Sequence, residues 1–173
     1  MQNLKQKMLR KNVVSVQRGF TLIELLVVIV TMTLIFTVGF ANYREFQRRK
    51  ALEGAVETLK ADLRFAQGQA LSSKKPTDCA STESINSYLF RFVSATSYEI
   101  VARCLPGPND VVVKTAGESD ISTKHPGITI NPFSDVIFTV LGRGVVSIVT
   151  ITLEQSATGA SEIIEITRGG QIE

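Results

Sequence analysis

The chain has 173 residues, enough for one compact domain and too few for two comfortable ones. Hydrophobic residues make up 44% and charged residues 20%, a balance that excludes a disordered, collagenous or disulfide-dense chain. The formal charge of +3 is unevenly placed: Lys5, Lys7, Arg10, Lys11 and Arg18 carry no acidic neighbour, and removing those five from the 19 basic residues leaves 14 against 16 acidic, so a nucleic-acid function inferred from global charge fails.

Residues 1–19 are polar and basic, end in Gln17-Arg18-Gly19, and show no amphipathic period, as expected of a cleaved leader. Residues 20–41 follow as a transmembrane helix. The run Phe20–Phe40 has 21 residues and one charge, Glu24, which suits a hydrocarbon core roughly 30 Å thick. It is apolar on every face, unlike an ordinary core helix, and too long for a secretory signal. Asn42-Tyr43-Arg44-Glu45 follows it in place of a small-residue cleavage site.

Residues 42–74 form an amphipathic spine helix. Leu52, Val56, Leu59, Leu63, Ala66 and Ala70 recur at intervals of three and four, the stripe of an α-helix. Arg48, Lys50, Glu53, Glu57, Lys60 and Arg64 make the opposite, solvated face. No proline separates this segment from the apolar run and Gly39 costs only about 1 kcal/mol relative to Ala, so one continuous helix of about 50 residues is expected.

Residues 75–173 change character at Lys75-Pro76 and become rich in β-branched residues, a β-rich head. Tyr88–Val93 and Tyr98–Arg103 pair as a hairpin, and Val111–Thr115, Gly127–Ile130, Val136–Val140, Val145–Leu153 and Glu162–Thr167 supply further strands between Gly- and Pro-containing turns. The fold class is α+β, a long N-terminal helix packed against one antiparallel sheet.

Cys79 and Cys104 are the two cysteines. A disulfide is the favoured reading; unrelated thiols are the alternative, and a metal site is worse supported because no second His completes a tetrahedral shell. A bond closing about 25 residues contributes roughly 3–4 kcal/mol and requires an oxidising space, which puts the head outside the cytosol. The basic residues flanking the apolar run do not decide orientation, since Arg44, Arg48, Arg49 and Lys50 balance the leader.

The informative constellation is Arg18-Gly19-Phe20-Thr21-Leu22-Ile23-Glu24-Leu25-Leu26. A carboxylate inside a spanning helix costs about 2.5–3.5 kcal/mol at mid-membrane, so Glu24 needs a partner or a proton unless it snorkels to the interface. This string resembles the class III signal of type IV pilins and type II secretion pseudopilins. The resemblance implies that a prepilin peptidase cuts between Gly19 and Phe20 on the cytoplasmic side, that the new amino group of Phe20 is N-methylated, and that Glu24 pairs with the terminal amine of a neighbouring subunit during assembly.

More weakly, Leu63-Arg64-Phe65-Ala66-Gln67-Gly68-Gln69-Ala70 and the closing Ile164–Ile172 are similar to the GspH/FimT class of minor pilins and pseudopilins. A helix-kinking proline common near the membrane exit of pilins is replaced here by Val38-Gly39-Phe40-Ala41.

Elsewhere the chemistry is thin. His125, the sole histidine, precedes Pro126-Gly127 and reads as an exposed turn residue. Asp78, Glu83, Asp110, Glu118, Asp120 and Asp135 lack the spacing of a calcium loop, and Gly142-Arg143-Gly144 fits a hairpin turn better than a phosphate cradle. No catalytic residue, cofactor or metal is expected. Arg44, Arg48, Arg49 and Lys50 have the charge to meet phosphates, but their place beside the membrane makes nucleic acid an unlikely partner, and Lys74, Lys75 and Lys124 are too few to form a patch.

The expected partners are prepilin peptidase, other pilin or pseudopilin subunits, an inner-membrane assembly platform, and membrane lipid before assembly. The expected location is the inner membrane, crossed once with the N-terminus cytoplasmic, and afterwards a periplasmic or surface filament. The competing class is a single-span anchored periplasmic domain that binds a ligand and never polymerises; the mature N-terminus discriminates the two.

Overall fold

The computed structural model describes residues 19–106, 109–142 and 144–173. The expected leader therefore lies outside the described residues except for Gly19. The chain divides into two compact units, Met1–Asn42 and Tyr43–Glu173.

In the first unit, helix α1 (Leu22–Leu71) begins. Thr21 is its cap: its Oγ1 accepts from the Glu24 N–H at 3.3 Å and its carbonyl accepts from the Leu25 N–H at 3.2 Å. The backbone stays helical through Gly39. Large apolar side chains stand exposed, Leu34 at 65% and Ile35 at 73%. The hydroxyls of Thr31, Thr33 and Thr37 donate back to the carbonyls of Val28, Val30 and Thr33 at 2.9, 2.8 and 2.7 Å. Their polarity is thus satisfied within the helix, as hydrocarbon surroundings require.

In the second unit, α1 buries Leu52, Ala55, Leu59, Leu63, Ala66 and Ala70, none more than 5% exposed. Ala55 takes the place expected for Val56, which is only partly buried. The covered arc is shifted because His125 packs beside Gly54, on the Ala55 side of the stripe. The helix ends in a Schellman motif, with Ser73 at φ 49° donating to Ala70 O at 3.1 Å and Lys74 N donating to Gln69 O at 3.2 Å. Pro76 follows, so the helix cannot resume.

The remaining elements are β1 (Ser84–Ser94), β2 (Ser97–Leu105), β3 (Asn109–Lys114), α2 (Ile121–Lys124), β4 (Ile128–Ile130), β5 (Val136–Thr139), a 3-10 turn (Val140–Gly142), β6 (Val149–Gln155) and β7 (Ser161–Ile166). The expected layout, a long helix with antiparallel β structure, is the one observed, but the strands form two sheets instead of one. Their orders are β3-β2-β1-β5 and β4-β6-β7. The first sheet stops at β5 because the chain folds back on that strand's outer side, where Thr139 N donates to Gly144 O at 3.1 Å and Val146 N to Ile137 O at 3.3 Å.

That return also explains why the extended stretch expected from Val145 enters β6 only at Val149: Val145 makes an isolated bridge to Phe138. Gly144 has φ +77°, and a Cβ there would lie 2.2 Å from Arg168 O, so this return admits only glycine. Both sheets contribute to one core over the helix stripe, including Tyr88, Phe90, Tyr98, Ile100 and Phe138 from the first and Ile130, Ile151, Leu153, Ile164 and Ile166 from the second.

Candidate functional site

Gly19, Phe20 and Thr21 are non-helical and exposed, so the Gly19–Phe20 bond precedes the first helical turn. A helical bond would have to be unwound before it entered a protease cleft; this one is already free of the i→i−4 ladder. A Cβ added to Gly19 would meet nothing within 4 Å. The chain therefore has no steric reason of its own for glycine here, and any requirement lies with an enzyme approaching from outside.

Glu24 occupies the first turn of α1, the position where a negative charge is favoured by the helix dipole. Its side chain is exposed in the single chain, amid exposed Phe20, Leu22, Ile23, Leu25 and Leu26. The long apolar helix has the length and composition to cross a membrane, and its most apolar window is 0% buried in the chain itself. An isolated acid on such a surface has a strong energetic need for a cationic partner once water is excluded.

In the head, Cys79 and Cys104 are joined by a disulfide with Cα atoms 6.1 Å apart, both buried. It fastens the loop after α1 to the end of β2. Glu83 approaches the two sulfurs, but its Oε2 accepts from the Ala80 N–H at 3.0 Å, and sulfurs bonded to each other offer no thiolate to a metal.

The other acids considered as ligands are engaged locally. Asp110 accepts from Arg103 at 3.0 Å and from Arg91 at 2.9 Å, and the Arg103 hydrogen bond foremost holds its carboxyl below the usual range. Asp135 lies 3.4 Å from Arg91. Asp120 caps α2 by accepting from Ser122 N at 2.8 Å.

One placement departs from the sequence expectation, and one cluster is not singled out by it at all. His125 is not a free turn residue: it is half-buried, its ring lies against Gly54, and its Nε2 is 3.2 Å from Thr58 Oγ1. Burial, with Lys124 beside it, pushes its pKa down. Asp62, on the helix, accepts from both the Tyr98 hydroxyl and the Lys114 ammonium. Desolvation and then the adjacent carboxylate push the Tyr98 phenol far above its ordinary range. No short motif signals either cluster, because the partners are 67 and 52 residues apart in sequence.

Residues 14–40 match the family described as the prokaryotic N-terminal methylation motif. The match supports a type IV pilin-like precursor processed by prepilin peptidase. It covers the end of the expected leader, the Gly19–Phe20 bond, Glu24 and the apolar run, the same junction singled out by its chemistry. No curated protein and no solved structure matches the chain. The motif and the one helix among the described residues that is long and apolar enough to cross a membrane both fit a membrane-anchored chain.

Proposed function

We propose that the chain is a structural subunit of a type IV pilus, in a minor position, or of a type II secretion pseudopilus, with the GspH/FimT class as its nearest kin. A prepilin peptidase removes residues 1–19 on the cytoplasmic face and the exposed amine of Phe20 is N-methylated. The subunit then waits in the inner membrane with its head outside, until an assembly platform packs the 20–41 segment among the same segments of other subunits. In that bundle the Glu24 carboxylate meets the terminal ammonium of a neighbour, and the pair offsets two desolvation penalties that neither group sustains alone.

The observation that carries this reading is the methylation-motif match over residues 14–40, laid on a helix whose apolar surface is exposed and whose threonine hydroxyls are internally satisfied. The disulfide supports an oxidising location for the head. Intact-mass and N-terminal analysis of protein taken from membranes tests the proposal. A chain beginning at N-methyl-Phe20 is expected, and one that retains Met1 indicates a static anchor instead.

A further inference from the structure

Helix α1 carries a second stripe, turned away from the head. Tyr43, Phe46 and Lys50 each precede by nine residues a side chain of the buried stripe, Leu52, Ala55 and Leu59 respectively. Nine residues are two and a half turns of an α-helix, so the three stand on the side opposite the one that the sheets cover. Tyr43 and Phe46 are each 56% exposed, as that placement requires.

Followed along the helix at the same steps of three and four, this stripe reads Tyr43, Phe46, Lys50, Glu53, Glu57, Lys60 and Arg64. It is aromatic for one turn and charged from there on. Lys50 joins the two parts: its ammonium pairs with Glu53 at 2.5 Å while lying 5.8 Å from the centre of the Phe46 ring. A face meant only for water gains nothing from two large rings, so the abrupt change of polarity marks a boundary between two media.

Position along the chain identifies the second medium. The apolar run Phe20–Phe40 matches the hydrocarbon core, and the steps from Phe40 to Phe46 add about 9 Å at 1.5 Å per residue, enough to cross one headgroup layer. Aromatic rings favour that layer, where Tyr43 can bury its ring and keep its hydroxyl wet.

We propose that Tyr43 and Phe46 anchor α1 in the headgroup layer of the bilayer, fixing the depth at which the helix rests and setting the water boundary between Phe46 and Lys50. The partner is a lipid surface, and the assignment rests on the reading of 20–41 as a membrane span, with which the aromatic turn is continuous in sequence. The anchor belongs to the subunit before assembly, when the face turned away from the head has no other cover.

The chain lacks tryptophan, so single indoles report depth without interference. The mature chain, residues 20–173 with its disulfide intact, is placed in phosphatidylcholine bilayers brominated at successive positions along the acyl chains. Leu34→Trp should lose most of its emission to bromines deep in the bilayer. Tyr43→Trp and Phe46→Trp should each emit to the blue of a solvated indole and lose most of that emission to bromines near the glycerol end. Glu57→Trp, about three turns farther along the same stripe, should lose none. Adding Tyr43→Ser/Phe46→Ser to the Leu34→Trp chain should shift the bromine depth that quenches it best.

The outcomes separate the anchor from the span. If Leu34→Trp is quenched while Tyr43→Trp and Phe46→Trp are quenched no more than Glu57→Trp, the anchor is overturned and the span stands. An unquenched Leu34→Trp overturns the span itself. Shielding of the Tyr43→Trp indole that grows with the protein-to-lipid ratio and ignores bromination makes a second copy the occupant and overturns the lipid assignment. An unmoved quenching depth in the double-serine chain overturns the role in setting depth.

Discussion

The segment 22–41 and the segment 52–70 belong to the same helix and solve opposite problems. In the second, every third or fourth residue is buried by the chain's own sheets: Leu59 and Leu63 are 0% exposed. In the first, Leu34, Ile35 and Phe36 are 65, 73 and 74% exposed, and nothing among the described residues covers them. The difference teaches that the head is complete in itself, whereas the apolar segment has its burial deferred to lipid or to other chains. On the proposed reading function belongs with the incomplete segment and stability with the complete one, and substitutions in each should move different observables.

The largest separation is expected at Gly19. A Cβ there meets open space within the chain, so Gly19→Val should leave the head's fold and melting unchanged while the 19-residue leader stays attached. Intact mass reads the outcome, and normal processing of this variant removes the peptidase from the mechanism.

Glu24 comes next. Losing one member of a buried ion pair typically costs about 3–5 kcal/mol, enough to reduce incorporation more than a hundredfold. Glu24→Ala should insert, be processed and keep its disulfide, yet be missing from sheared filaments; Glu24→Asp should be intermediate, since the charge survives on a shorter side chain. Incorporation of Glu24→Ala at the wild-type level would make the carboxylate an interfacial snorkeller.

In the head, the same logic runs the other way. Reducing Cys79–Cys104 should lower the stability of a Tyr43–Glu173 fragment by roughly 3–4 kcal/mol, the loop-entropy scale for this span. Leu63→Ala should cost about 2–5 kcal/mol, because it opens a void under both sheets. Denaturant midpoints read both changes. Neither should alter cleavage, and impaired cleavage in Leu63→Ala would show that the two segments are coupled.

The contrast between segments also marks what the sequence discloses. The helix period, the β-rich head and the junction at Gly19–Phe20 are legible because each is carried by neighbours in sequence: a 3.6 repeat, β-branched runs between turns, a contiguous string. The shift of the stripe from Val56 to Ala55, the division into two sheets and the seat of His125 are not. Each depends on a partner far along the chain, such as His125 over Gly54 or Gly144 against Arg168, and no local pattern encodes it. Asp62, which anchors the helix to β2 and β3, carries no local signal for the same reason.

Asp62 gives the finest test of the complete segment. The carboxylate accepts from both Tyr98 and Lys114, so Tyr98→Phe removes one charge-assisted hydrogen bond while the ion pair survives. The expected loss is about 1.5–3 kcal/mol in the Tyr43–Glu173 fragment at neutral pH. The pH dependence carries a second signature. Burial first, and Asp62 second, raise the folded-state pKa of Tyr98 above its unfolded value near 10, so the unfolded state binds fewer protons above that pH. The Tyr98 contribution to stability should be level below pH 10 and fall as pH rises beyond it. Tyr88, also raised by burial, contributes a smaller slope of the same sign. Denaturant titrations at pH 8 and pH 10.5 should therefore show a steeper alkaline loss for wild type than for Tyr98→Phe. Equal losses would mean that the Tyr98 proton contributes nothing to folding and that Asp62 is held by Lys114 alone.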